Sequence, residues 1–86
     1  MKLKIERNKI TGGFNCRFEF NRNKYYADVS TVPACGYDEC MIFKYKKNGE
    51  VDWSGVYENR NVVVSEHCLK KCIEEFTDVE WESEEK

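Results

Sequence analysis

The sequence predicts an α+β fold: a four- to five-stranded antiparallel β-sheet with one C-terminal α-helix packed on its apolar face. Three observations lead there. Up to about residue 60, apolar and polar residues alternate with the period of a half-buried strand. Turn-forming residues punctuate this alternation at Gly12-Gly13, at 21–24, at 33–39 and at Asn48-Gly49. After Val64 the apolar spacing changes to that of a helix. With 86 residues, 41% of them hydrophobic and 14% aromatic, the chain makes one domain whose small core rests on a few large rings.

The first strand is short and centres on Leu3 and Ile5. A hairpin follows, "FNCRFEF" returning as "YYADVSTV". A four-residue loop at 21–24 sets Phe20 opposite Tyr25, Phe18 opposite Ala27, Cys16 opposite Val29 and Phe14 opposite Thr31, all on one face. Arg17 then pairs with Asp28 on the other face. A slip by one residue would scramble this segregation, so burial of one face selects the register.

The second hairpin, "CMIFKY" to "EVDWSGVY", is best closed by a three-residue loop at 47–49. Tyr45 then faces Val51, Phe43 faces Trp53 and Met41 faces Gly55. Lys44 meets Asp52, and Lys46 meets Glu50. Gly49 takes the left-handed position of a bulged turn, where the missing Cβ removes a steric penalty.

The helix begins after Ser65, a good N-cap. Val64 and Leu69 stand at the two positions of a hydrophobic staple, and Glu66 suits the first-turn dipole. Leu69, Cys72, Ile73 and Phe76 share one face, with Cys68 beside them. The expected core is Phe18, Val29, Phe43, Trp53, Leu69, Ile73 and Phe76. The domain spans 1–78, and 79–86 is read as an acidic, flexible tail against which Val79 and Trp81 offer the only apolar anchors.

Charge narrows the function classes. Residues 1–50 carry ten Lys/Arg against six Asp/Glu, and residues 51–86 carry four against ten, for a net −2 overall. A net acidic chain argues against non-specific nucleic-acid binding as the main role, because such binding runs on phosphate neutralisation. No stretch reaches the ~20 apolar residues of a membrane span. The N-terminus interleaves charge with apolar residues and so lacks the apolar run of an export signal. A cytoplasmic location and reduced thiols are therefore expected, and five cysteines would leave one over in any closed disulfide framework.

The cysteines are the obvious candidates for chemistry. Cys35 and Cys40 bracket a loop containing Gly36, and Cys68 and Cys72 lie one helical turn apart. Either pair can converge, which makes Cys35, Cys40, Cys68 and Cys72 the candidate zinc ligands. Neither has the tight spacing of a zinc knuckle, and Cys is among the most buried residue types. Core packing is the preferred reading, with no metal and no cofactor. Cys68 near the helix N-terminus would favour a thiolate, but adjacent His67 points about 100° away and makes a poor general base. His67 is the only histidine, so no acid–base–nucleophile constellation exists and the chain is read as a non-enzyme. Asp38 and Glu39 are read as loop polarity. The aromatics Tyr25, Tyr26, Phe43, Tyr45, Trp53 and Tyr57 suggest a base-stacking platform, but the expected registers send most of them to the helix-covered face.

"YDECMIFKYKKNGEVDWSGVYENR" followed by "SEHCLKKCIEEF" resembles small orphan proteins of prophages and conjugative elements of Gram-positive bacteria. The matching residues are Met41, Ile42, Phe43, Gly49, Glu50, Val51, Trp53, Tyr57, Arg60 and Glu66. Those proteins often carry a His in the second helical turn, where this chain has Cys72. The resemblance covers about half the chain and implies a mobile-element accessory protein, regulatory or countering host defence. It brings no activity with it.

The function expected from these readings is a protein-interaction module with a protein partner and no membrane. Its candidate surface is the open sheet face, Arg17, Glu19, Tyr26, Lys44 and Lys46, together with the acidic tail. Complementary fields on such a charge-segregated domain would steer association. The alternatives are a nucleic-acid-binding regulator that uses the basic N-terminal half, and a small zinc-binding module.

Overall fold

The computed structural model describes residues 2–83. Strands β1 (Lys2–Leu3), β2 (Glu6–Arg7), β3 (Phe14–Phe20), β4 (Asn23–Val32), β5 (Tyr37–Tyr45) and β6 (Val51–Asn59) precede helix α1 (Glu66–Thr77) and strand β7 (Glu82–Ser83). Five strands form one antiparallel sheet in the order β2-β3-β4-β5-β6. Helix α1 packs across β3, β4 and β5 on one face. The fold class is therefore α+β, as the alternation and the change of period predict.

Helix α1 starts where its cap requires. Ser65 is extended, and its Oγ accepts from the Cys68 N–H at 3.1 Å. Asp78 ends the helix in the left-handed conformation, and its N–H donates to the Glu74 carbonyl at 2.8 Å. Leu69, Cys72 and Ile73 are buried against the sheet.

The first hairpin turns more tightly than expected. Asn21 and Arg22 alone form the turn, both with positive φ (50° and 65°). Two left-handed residues make the turn whose twist matches that of the flanking strands. Phe18 consequently faces Tyr25, Cys16 faces Ala27 and Phe14 faces Val29, two residues from the predicted register. A shift of two preserves every facing, so the inward set survives. The Arg17–Asp28 pair does not form; Arg17 lies opposite Tyr26, and Asn15 opposite Asp28.

The second hairpin departs further. Its loop is as predicted: Tyr45 faces Val51, Lys44 faces Asp52, and Gly49 has φ +88°. Beyond Lys44 the ladder breaks. Ile42 pairs with Tyr57, so two steps along β5 match five along β6. The excess is taken up in a bulge, where the Asp52 carboxylate accepts from Ser54 N–H (3.1 Å) and Ser54 Oγ (2.8 Å) and Gly55 has φ +78°. The facing of β5 is also the reverse of that expected. Cys40 and Ile42 are fully buried beneath the helix, while Phe43 lies across the ladder from Tyr26 on the other side. The reason lies in β4, whose inward residues Ala27 and Val29 pair with Ile42 and Cys40 and carry them inward. Phe43 and Trp53 are thus not core residues, and Trp53 is 68% exposed.

Aromatic rings complete the buried face. Phe18 stacks on Tyr25 (5.3 Å), and Phe76 stands edge-on to both Tyr25 (5.2 Å) and Tyr57 (6.1 Å). The segment after the helix does not hang free. Trp81 is buried edge-on to Phe18 (5.7 Å). Its indole N–H donates to Thr77 Oγ1 and its backbone N–H to the Glu74 carboxylate, both at 2.9 Å. β7 then pairs in parallel with β1, which helps seat Leu3 in the core. In place of the expected loose tail the chain packs at Trp81 and is paired through Ser83; residues 84–86 lie outside the described residues.

Candidate functional site

The face of the sheet opposite α1 gathers what the sequence reading sent to the core. Tyr26 on β4 and Phe43 on β5 are cross-strand neighbours with near-parallel rings 6.4 Å apart. The β6 bulge swings Trp53 over them. Its indole stands edge-on to Phe43 at 5.0 Å and to Tyr26 at 6.4 Å. Aromatic pairs in such offset and edge-on arrangements each contribute about 0.5–1.5 kcal/mol beyond area burial. The trio is thus held in place while leaving the Trp53 surface open.

A cleft of about 300 Å³ lies beside the three rings, with Met41, Asp28 and Ser30 in its wall. Asn8 and Thr11 of the loop before β3 form one rim. That loop is shaped by Asn8, whose Oδ1 accepts from Ile10 N–H (3.0 Å) and Thr11 N–H (3.2 Å). It can lie close to the sheet because residue 13 is glycine: a Cβ there would collide with the Val29 carbonyl. Ile10, at the loop tip, is 95% exposed.

Two carboxylates face this cleft in different states. Glu39 is paired with Arg60 (3.2 Å), which also binds Glu58 (2.9 Å) and lies over the Tyr37 ring (4.8 Å). Asp28 accepts from Ser30 Oγ at 2.9 Å and, more loosely, from the Tyr26 hydroxyl at 3.5 Å. It makes no salt bridge among the described residues. Burial raises the Asp28 pKa above the ordinary carboxylate value, and these donors, with Asn8, only partly oppose the rise. The Tyr26 hydroxyl is likewise raised, first by burial and then by the Asp28 charge.

The surface expected from sequence is divided by the fold. Arg17, Glu19 and Tyr26 share the open face. Lys44 pairs with Tyr25, on the helix-bearing face, and Lys46 sits at the second hairpin tip, where its N–H donates to the Glu50 carbonyl at 2.7 Å. Lys44 and Lys46 instead join Arg22, Lys24 and Lys47 around a tip cleft of about 530 Å³ that also includes Asp52. Asp28, Phe43 and Trp53 are the residues that sequence reasoning missed. The available signal was that Met41 and Phe43 alternate with Cys40 and Ile42, so both faces of β5 are apolar.

The cysteines also separate. Cys35 is exposed on its turn. Cys40 and Cys72 meet in the core between β5 and α1, with Cys68 half-buried one turn away. The Cys72 thiol is drawn down by hydrogen bonding from Cys40, with the Tyr57 hydroxyl and Asn59 adding to this against the opposing effect of burial. The Cys40 thiol is pushed up by that same hydrogen bond and by burial. Cys16 is pushed up to about 11 by burial. Among the described residues no three His, Cys, Asp or Glu side chains gather in a way that could hold a metal ion. No helix among them is long and apolar enough to cross a membrane.

Comparison of the chain with models of protein families finds no match, and comparisons with curated proteins and with solved structures find none either.

Proposed function

We propose that the chain is a non-enzymatic protein-interaction module of the cytoplasm, docking a protein partner on the open face of its sheet. One observation carries this reading: Tyr26, Phe43 and Trp53 pack on one another on the face away from α1, with Trp53 68% exposed. Exposed aromatics supported by neighbouring rings are what interface anchors look like, since Trp and Tyr dominate binding hot spots. A role in a mobile genetic element, as an accessory or regulatory protein, is supported by the sequence resemblance of 37–76. A photo-crosslinking residue in place of Trp53 tests the docking reading, with the same residue at Glu75 on the exposed side of α1 as the control. A partner joined at 53 and not at 75, whose affinity falls about tenfold in Trp53→Ala, supports it. Crosslinking at 75 alone, or binding indifferent to Trp53→Ala, overturns it.

A second reading has its own observation. Arg22, Lys24, Lys44, Lys46 and Lys47 crowd the tips of the two hairpins, a cationic end suited to phosphate. A nucleic-acid-binding regulator using this end would lose affinity steeply with salt. Each Lys→Ala change would then lower the salt slope by about one unit. A protein interface with an apolar centre should weaken far less with salt.

A further inference from the structure

We infer that the cleft beside Trp53 receives a cationic side chain of the protein partner, an Arg or Lys, held between the aromatic rings and the Asp28 carboxylate. This rests on the docking reading and adds the chemistry of what docks. Charge complementarity carries it. Among the described residues, Asp28 and Glu39 are the only charged side chains lining the cleft, and both are acidic. Glu39 is already occupied by Arg60. Asp28 has its neutral donors, Ser30, the more distant Tyr26 hydroxyl and Asn8, but no cation within salt-bridge distance among the described residues. Arg17 lies across the ladder from Tyr26, yet it lines a separate cleft with Lys4, Glu6 and Asn15. A half-buried carboxylate without a counter-ion is costly to the free protein, and a cation supplied from outside relieves that cost.

The rings supply the second half of the recognition. The face of an aromatic ring attracts a cation within about 6 Å of its centroid, Trp most strongly. Trp53 and Phe43 stand at 68° to each other, so the pair offers a corner rather than a flat stack. An alkyl stem can lie against Met41 and Phe43 while its charged head reaches Asp28, the usual way long basic side chains bury their methylenes. A guanidinium fits best, because it can stack on a ring and donate to a carboxylate at once. Asn8 and Thr11 at the rim are neutral, so the loop brings no competing charge to the cleft.

The test titrates the folded protein with N-acetyl-arginine amide and follows the indole N–H signals of Trp53 and Trp81 by NMR. The neutral near-isostere N-acetyl-citrulline amide and acidic N-acetyl-glutamate amide serve as comparisons. The arginine probe is expected to shift Trp53 and leave buried Trp81 in place. Citrulline should bind about fivefold more weakly or worse, and glutamate not at all. Asp28→Asn keeps the shape of the side chain and should remove the preference for arginine over citrulline. Equal binding of the two probes, no Trp53 shift, or an Asp28→Asn protein that still prefers arginine overturns the inference. The docking reading fails separately: a partner crosslinked at 53 with no arginine preference sinks only the cation, while crosslinking at 75 alone sinks the docking face itself.

Discussion

Replacing Ile42 and Phe43 one at a time by alanine probes the two faces of β5 through adjacent residues. Ile42 is fully buried, opposite Ala27 on one side and Tyr57 on the other. Ile42→Ala removes three carbons, worth about 0.8 kcal/mol each in transfer, or about 2.4 kcal/mol. The cavity left under the helix adds about 1 kcal/mol, for a total of roughly 3–4 kcal/mol, inside the usual range for such truncations. Phe43 is only half-buried and loses chiefly its contacts with Tyr26 and Trp53, so Phe43→Ala should cost about 1–2 kcal/mol. At roughly 4–8 °C per kcal/mol for a domain of this size, the melting temperature should fall by about 12–32 °C for Ile42→Ala and about 4–16 °C for Phe43→Ala. Urea unfolding followed by circular dichroism reads the free energies, and a thermal scan reads the melting points. If Phe43→Ala proves as damaging as Ile42→Ala, the facing of β5 is wrong, and with it the exposed aromatic site.

Three further outcomes follow from particular contacts. Burial raises the Asp28 pKa, so its charge opposes folding; that penalty is absent below the ordinary carboxylate value of 3.8 and grows as the pH rises through the shifted value. Asp28→Asn should therefore melt higher than the parent at pH 7, and the advantage should vanish near pH 3; a lower melting point at pH 7 would refute the assignment of Asp28 as an uncompensated carboxylate. Trp81→Ala should cost about 3–5 kcal/mol, the usual penalty for a buried large ring, and unfolding near that of the parent in urea would mean that the chain after the helix does not belong to the core. Glu74, held below its ordinary range by the Trp81 N–H, contributes stability above the ordinary value of 4.5 that fades as the pH falls below it. Glu74→Gln should flatten that part of the pH profile.

The candidate site was hidden in the sequence for a specific reason. Both alternating sets of β5 are apolar: Cys40 and Ile42 in one, Met41, Phe43 and Tyr45 in the other. Size favoured the second set for the core. The space between β5 and α1, bounded by Ala27 and Val29, takes the smaller one. Asp28 gave no local sign either, because its lack of a counter-ion depends on the actual first-hairpin register. In the predicted register Arg17 would have been its partner.

What the sequence determined by itself was the local grammar: an α+β chain, strands where apolar residues alternate, a helix capped by Ser65, and the left-handed Gly49 turn. It also determined the inward faces of β3 and β4, since only one alternating set there is apolar, and any shift by two residues leaves facing unchanged. The tertiary structure decided which of two allowed registers the first hairpin takes, because facing alone cannot separate registers that differ by two. It decided the direction of β5 through the ladder to β4, and the bulge that carries Trp53 outward. It also joined the two ends of the described chain, where β1 and β7 form a parallel pair that no neighbouring residue announces. Such contacts join residues far apart in the chain, and their free energy exists only once the intervening core has formed.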